Sequence, residues 1–222
     1  MLDVRKYLEH TLLKPDLTDY DINALVEQAK VSQFVGVCVP PFWVKKVKRE
    51  LQDENIQVVT VVGFPLGYQM TETKVFETQQ AIKNGADEID VVWSLSAYKS
   101  RMNWPKIELA KLSSVCHEEG KILKVIIETA LLSDEEKVEA CKLCSDAGVD
   151  YVKTSTGFST SGAQLEDIRL MRENLPSNVG VKASGGIKTL DQVLDFIQAG
   201  ADRIGTSSGV DILKEMAERV EK

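Results

Sequence analysis

Histidine is scarce in this chain, with only His10 and His117 among 222 residues. A protein zinc site usually needs four good nitrogen, sulfur or oxygen ligands. Cys141 and Cys144 have the spacing of half such a site, but no second pair completes it. We therefore expect no metal site and interpret both cysteines as packing residues within a helix.

The sequence also lacks a long apolar run, an apolar leader and an excess of positive charge. No stretch reaches the roughly 18 apolar residues of a membrane-spanning helix, and Met1 to Lys6 are too charged for a signal peptide. The net charge of −7 gives no basic footprint for nucleic acid. With no leader, the four cysteines are expected to be reduced thiols. These absences predict a cytoplasmic protein without membrane or nucleic-acid partners.

Several catalytic and nucleotide-binding motifs are missing as well. The chain has no GxxxxGK[ST] or GxGxxG loop, so no nucleotide is implied. Ser159 lies in no GxSxG elbow, which argues against a serine hydrolase. We therefore expect chemistry that needs no cofactor.

One short pattern recurs along the chain. Each copy places a glycine at the end of a helical segment, an aspartate two residues later and then a β-branched strand, which predicts a helix-to-strand joint with a left-handed cap. The copies are Gly85-Ala86-Asp87, Gly148-Val149-Asp150 and Gly200-Ala201-Asp202.

This joint divides the sequence into eight βα units. Alternating strands and helices indicate a parallel sheet, and eight units in one chain of this length predict closure into an α/β (β/α)8 TIM barrel, a single domain over residues 1–222. The predicted strands lie near 8–12, 34–39, 56–63, 87–92, 121–128, 149–154, 178–183 and 202–206. The predicted helices lie near 19–32, 41–52, 71–84, 103–120, 134–147, 164–174, 189–199 and 209–220.

Three charged residues, Asp90, Lys153 and Lys182, alternate with β-branched residues in predicted strands four, six and seven. Strand alternation turns them toward the barrel axis, near the C-terminal strand ends where barrel enzymes hold their active sites. The two lysines would be about 5 Å apart at the backbone. Burial and mutual repulsion both lower a lysine pKa, and a neutral lysine can form a Schiff base with a carbonyl.

The pattern leaves open which lysine is the nucleophile. Asp90 would pair with the remaining ammonium group or relay a proton through water. Lys124 and Glu128, in the fifth predicted strand, share an inward face and are expected to form supporting ion pairs.

Glycine and hydroxyl residues follow the last three strands. Gly185 and Gly186 come after strand seven, and Ser207 and Ser208 after strand eight at the start of the last helix. Glycines allow close approach to an anion, a helix N-terminus offers free N–H groups, and these two loops are the usual phosphate site of the fold. Two further candidates for binding substrate are the Thr156-Gly157 pair and Cys38, which ends strand two and is equally interpretable as a core residue.

In order along the chain, these segments resemble the deoxyribose-phosphate aldolases. The matching segments are His10-Thr11-Leu12-Leu13-Lys14-Pro15, Gly36-Val37-Cys38-Val39, Gly63-Phe64-Pro65-Leu66-Gly67, Gly85-Ala86-Asp87-Glu88-Ile89-Asp90, Lys124-Val125-Ile126-Ile127-Glu128-Thr129, Lys153-Thr154-Ser155-Thr156-Gly157, Val181-Lys182-Ala183-Ser184-Gly185-Gly186 and Arg203-Ile204-Gly205-Thr206-Ser207-Ser208.

The resemblance implies reversible cleavage of 2-deoxy-D-ribose 5-phosphate to acetaldehyde and glyceraldehyde 3-phosphate, by a homodimer or homotetramer. It implies that Lys153 forms the Schiff base, that Lys182 lowers its pKa and that Asp90 relays protons. It also places the phosphate at Gly157, Gly185, Gly186, Ser207 and Ser208.

Some positions depart from the family. Glu9 stands where aspartate is usual, Trp93 adds bulk after strand four, and Phe158 stands where some relatives have lysine. The alternative function from another class is a phosphosugar-binding barrel without aldolase activity, an isomerase or a non-catalytic relative. An isomerase would need a carboxylate base and a neutral electrophile rather than two lysines.

Overall fold

The computed structural model describes residues 2–220, and their strands close into one parallel barrel. Each strand pairs with the next in the chain, and the eighth pairs with the first. The predicted (β/α)8 barrel is therefore confirmed, while the predicted single domain also includes residues 1, 221 and 222, outside the described residues. In chain order β1 to β8 are Leu8–Thr11, Gly36–Val39, Gln57–Val62, Glu88–Val92, Ile122–Ile126, Tyr151–Lys153, Gly180–Ser184 and Arg203–Thr206.

Helices connect the strands and cover the outside of the barrel. The predicted second helix is wrong in its first turn, because Pro41–Trp43 forms a 3-10 turn before the α-helix begins. The prediction also missed the one-turn helix after β4. Within residues 2–220, α1 to α9 are Asp19–Ser32, Val44–Glu50, Thr71–Lys83, Leu95–Lys99, Trp104–Glu118, Asp134–Asp146, Leu165–Asn174, Leu190–Gln198 and Gly209–Val220. None of these helices combines the length and the apolar character that crossing a bilayer requires.

The recurring glycine–aspartate pattern forms the predicted joint. Its glycines have positive φ angles of 105°, 77° and 111°, which favour glycine because it has no Cβ. Each aspartate side chain accepts a hydrogen bond from a backbone N–H near the start of the preceding strand, which helps to fix the strand register. The three bonds are Val58 N to Asp87, 3.0 Å; Leu123 N to Asp150, 2.8 Å; and Val181 N to Asp202, 2.9 Å.

The strand register brings the charged residues together. Asp90 in β4 lies opposite Lys124 in β5, and Lys153 in β6 lies opposite Lys182 in β7. Lys153 is the last residue of its strand, whereas Asp90 and Lys182 are the middle residues of theirs. All three therefore lie within two residues of the C-terminal end of their strands, near the end as predicted.

Candidate active site

A cavity of about 270 Å³ opens at the C-terminal end of the barrel, between the loops that follow β1, β6, β7 and β8. Six of the ten residues predicted from sequence line it. They are Lys153, Thr156, Gly157, Gly185, Gly186 and Ser207. The other four predicted residues, Asp90, Lys182, Cys38 and Ser208, are not in its lining.

Below the cavity, one carboxylate binds three lysines. Asp90 Oδ2 accepts hydrogen bonds from the Nζ atoms of Lys153 and Lys182, each at 2.7 Å, and Asp90 Oδ1 accepts one from Lys124 Nζ at 3.0 Å. Lys124, Lys182 and Asp90 are completely buried, and Lys153 is 2% exposed. Of the three lysines, Lys153 alone lines the cavity.

Two buried glutamates balance the remaining positive charge. Glu9 in β1 forms an ion pair with Lys182, and Glu88 in β4 forms one with Lys124. Lys124 Nζ also lies 3.6 Å from Glu9 Oε1, and Arg203 lies within 4 Å of both glutamates. The three buried lysines therefore face three buried carboxylates, a set that is neutral without Arg203.

This balance shifts the pKa values of the network. Burial alone would raise the pKa of Asp90, but the three lysines outweigh it and hold that pKa well below its usual range. Burial alone would lower the pKa of Lys182, but the carboxylates of Asp90 and Glu9 outweigh it and raise the pKa. The prediction of lowered lysine pKa values is therefore wrong for Lys182. The strand pattern indicated only one carboxylate, Asp90, between the two lysines, whereas the structure adds Glu9.

Glu9 and Glu88 differ in how visible they were in the sequence. Glu88 lies two residues before Asp90 in β4, so strand alternation gives the two side chains the same face. Glu9 was noted only as a departure from the family pattern, because the first strand has a weak sequence signal. Alternation of Glu9 with Leu8 and His10 in β1 was the signal that could have placed it inside the barrel.

Cys38 is completely buried, one residue before the end of β2. It packs with Val59 and Val61 of β3, and with Leu13 and Phe64. Burial, together with the nearby charge of Asp90, raises the pKa of its thiol to about 11. At neutral pH this side chain is a protonated thiol beneath the cavity.

The glycine loops have the backbone geometry of a close-approach site. Gly157, Gly185 and Gly186 have φ angles of 83°, 88° and 78°, conformations that favour glycine. A Cβ on Gly185 would lie 2.9 Å from Gly162 Cα, so the two loops leave no room for a side chain there. Ser208 directly precedes α9, and its N–H donates to Thr206 Oγ1 at 2.9 Å.

Three exposed side chains at the rim were not predicted as binding residues. Lys14, after β1, and Lys188, after β7, are exposed and line the cavity. Phe158 is also half exposed, and its ring lies edge-on to Phe64 with centroids 5.3 Å apart. The rim thus carries two cations, with an aromatic residue at the position where a third was expected from some relatives.

Glu128 is not part of the lysine network. Strand β5 ends at Ile126, and Glu128 has a left-handed backbone with φ 56°, so strand alternation does not extend to it. Its carboxylate accepts hydrogen bonds from Thr156 instead. The predicted ion pairing with the lysine face is therefore wrong for Glu128, whereas it is confirmed for Lys124.

Known aldolases resemble this chain over nearly its whole length. A family model described as DeoC/LacD family aldolase matches residues 4–215. A deoxyribose-phosphate aldolase of Clostridium botulinum (strain Kyoto / Type A2) is 52% identical over 214 residues, which cover 96% of this chain and 100% of that protein.

Two solved structures share the barrel closely. One described as QR15, an aldolase, has a TM-score of 0.94 at 40% identity and covers 100% of this chain and 99% of its own. The tetrameric deoxyribose phosphate aldolase of Aeropyrum pernix has a TM-score of 0.91 at 32% identity and covers 98% and 92%. The resemblance found in the sequence is thereby confirmed, and the chain belongs to the DeoC/LacD family of aldolases.

Proposed function

We propose that the chain catalyses reversible cleavage of 2-deoxy-D-ribose 5-phosphate to acetaldehyde and D-glyceraldehyde 3-phosphate through a Schiff base on Lys153. One observation carries the assignment of the nucleophile. Lys153 ends its strand and lines the cavity, while Lys182 and Lys124 are completely buried beneath it. A carbonyl carbon in the cavity can therefore meet the amine of Lys153.

The chemistry begins when the neutral amine of Lys153 attacks C1 of the open-chain sugar. Loss of water gives an iminium ion, which then accepts the electron pair of the C2–C3 bond as that bond breaks. The C3 hydroxyl loses its proton as C3 becomes the aldehyde carbon of glyceraldehyde 3-phosphate. The enamine left on Lys153 is protonated at C2, and water hydrolyses the resulting acetaldehyde iminium to free the lysine.

Asp90 and Lys182 support these steps from below. Lys182, whose pKa the carboxylates of Asp90 and Glu9 raise, keeps a positive charge beneath the cavity. Asp90 contacts both amines at 2.7 Å and so aligns Lys153, and a water molecule beside it would carry protons to and from the substrate.

The glycine loops would hold the phosphate at the far end of the substrate. Donors of the kind that bind anions at helix N-termini come from the loops with Gly157, Gly185 and Gly186, and from Ser207 and Ser208 just before α9. Lys14 and Lys188 at the rim add positive charge. Binding energy from the phosphate then orients the reacting carbons over Lys153.

The alternative of an isomerase or a non-catalytic barrel has less support. An isomerase of this fold uses a carboxylate base in direct contact with its substrate, and among the described residues that line the cavity there is no carboxylate. A protein that only binds phosphosugars would not need a reactive amine in its cavity, and Lys153 supplies one.

We further propose that the protein assembles as a homodimer or homotetramer and works in the cytoplasm. The relative from Aeropyrum pernix is described as tetrameric. Exposed apolar side chains concentrate at the beginnings of α3 and α5, which pack against each other, and such a surface suits a second copy of the chain. They are Tyr68, Met70, Phe76, Met102, Trp104 and Ile107. All four cysteines are free and buried, which suits a reducing compartment.

The direct test is Lys153→Leu, assayed by release of acetaldehyde from 2-deoxyribose 5-phosphate. We expect activity to fall to background while circular dichroism still reports a folded barrel. Lys106→Met is the matched control, since Lys106 forms a half-exposed surface pair with Asp146 and its loss should leave turnover unchanged. Substantial residual turnover in Lys153→Leu would reject the assignment.

A further inference from the structure

Glu128 has an unusual backbone for a buried residue. It is 6% exposed and has φ 56° and ψ 68°, a left-handed conformation that costs free energy in any residue with a Cβ. Hydrogen bonds on both sides fix it there: Ile127 N donates to Lys153 O at 3.0 Å, and Thr129 N donates to Thr154 O at 2.9 Å. The chain after β5 is thus fastened to the chain around Lys153, with Glu128 turned between the two bonds.

Among the described residues, the Glu128 carboxylate accepts hydrogen bonds from Thr156 alone. The Thr156 N–H donates to both of its oxygens at 3.3 Å, and the Thr156 hydroxyl donates to Oε2 at 2.5 Å. The same hydroxyl accepts from Phe158 N at 3.0 Å. Glu128 therefore fixes the three-residue turn 156–158 at both its first and its last residue.

That turn is one wall of the cavity. Thr156, Gly157 and Phe158 all line it, and Gly157 Cα lies 3.5 Å from where a Cβ on Gly185 would be. The turn and the Gly185 loop are therefore packed against each other. Glu128 itself does not line the cavity that contains Lys153, so it acts on this wall from behind.

We propose that Glu128 is a positioning residue for the substrate phosphate: it holds the 156–158 turn, in which the Thr156 and Phe158 N–H groups are engaged, so that Gly157 stays placed against the anion. This inference rests on the proposed function. The expected effect is on the preference for a phosphorylated over an unphosphorylated sugar, because a misplaced turn weakens contacts that only the phosphate makes.

The role of Glu128 can be tested because its hydrogen bonds to the turn and its negative charge have opposite effects on phosphate binding. A negative charge near the cavity repels an anion, so removing it without disturbing the turn would strengthen phosphate binding. Glu128→Gln keeps one oxygen acceptor but replaces the other with an NH2 donor, so one of the Thr156 donor contacts is lost, the turn is held less firmly and phosphate binding should weaken.

The experiment compares kcat/KM for 2-deoxyribose 5-phosphate with kcat/KM for 2-deoxyribose. We expect Glu128→Gln to lower the ratio of the two values about tenfold, the effect of losing one hydrogen bond to a charged group, mainly through KM for the phosphorylated sugar. A purely structural role would lower both values together and leave the ratio unchanged, which would overturn the proposal. A raised ratio would show that the charge dominates and would overturn it as well.

A matched pair at Thr156 removes the same contact from the other side. Thr156→Val keeps the shape but loses the hydroxyl, and should lower the ratio as Glu128→Gln does; Thr156→Ser keeps the hydroxyl and should recover most of it. Equal ratios in the two Thr156 variants would contradict the inference even if Glu128→Gln failed to fold.

Titration with inorganic phosphate, followed by ³¹P NMR, separates this inference from the proposed function because it needs no turnover. If the wild-type protein cleaves no sugar, the proposed function fails. Weaker phosphate binding by Glu128→Gln than by wild type would still support the positioning role, and equal or tighter binding would reject it.

Discussion

Replacing Lys182 by methionine tests the charge balance beneath the cavity. The side chain is completely buried and forms ion pairs with Glu9 and Asp90. Asp90 would keep Lys124 and Lys153 as partners, but the remaining cations around Glu9 are at 3.6 Å and 3.8 Å, outside hydrogen-bond distance. The variant therefore leaves the buried carboxylate of Glu9 without a hydrogen-bonded cation.

Removing one partner of a buried ion pair costs about 3–5 kcal/mol of stability. We therefore expect Lys182→Met to lower the free energy of unfolding by that amount, measured by urea titration. Adding Glu9→Gln removes the stranded charge and should recover about 1–3 kcal/mol of the loss. Lys106→Met breaks a half-exposed pair of similar geometry, and its expected cost is below about 1 kcal/mol. If Lys182→Met costs no more than this surface control, the buried network is not ionised as argued.

Two further predictions concern the cavity loop and acid stability. Gly185→Ala should destabilise the protein more than Gly186→Ala, because both positions have positive φ but only at Gly185 does the new Cβ meet another backbone atom, Gly162 Cα at 2.9 Å; equal melting temperatures would refute the steric argument. The pKa of Asp90 is lower in the folded protein than the ordinary value of about 4, so its stabilising contribution is complete above about pH 4 and is lost as pH falls through the folded-state pKa. Urea titrations across this range should show a shallower acid loss in Asp90→Asn, and an unchanged slope would contradict the assigned shift.

The eight-unit barrel could be predicted because its joints repeat. Each Gly-x-Asp joint marks a helix end and a strand start in the sequence, and the aspartate then bonds to the neighbouring strand. The predicted strands accordingly contain the observed ones except at Ser184, one residue past the seventh. The short helix Leu95–Lys99 and the 3-10 turns span one turn or less, too short to show a helical period.

The site was predictable where side chains alternate along a regular strand. This rule placed Asp90, Lys153, Lys182 and Lys124 inside the barrel, as the structure does. It failed at Glu128, because the left-handed backbone there breaks the alternation.

Which of the two lysines reaches the cavity was not visible in the sequence, because both face the barrel interior and are register partners on neighbouring strands. Lys153 is the last residue of β6, while Lys182 lies two residues before the end of β7. Lys153 lines the cavity and Lys182 is buried, which supports the choice of nucleophile that the sequence pattern had left open.

The central claim is a Schiff base on Lys153, and trapping tests it most directly. The protein is mixed with acetaldehyde and borohydride, and the reduced ethyl adduct is located by peptide mass mapping, with Lys153→Leu as the matched control. We expect the adduct on Lys153 in the wild-type protein and none in the variant. An adduct on Lys182 would reverse the lysine roles, and no adduct on folded wild-type protein would contradict Schiff-base chemistry at this site.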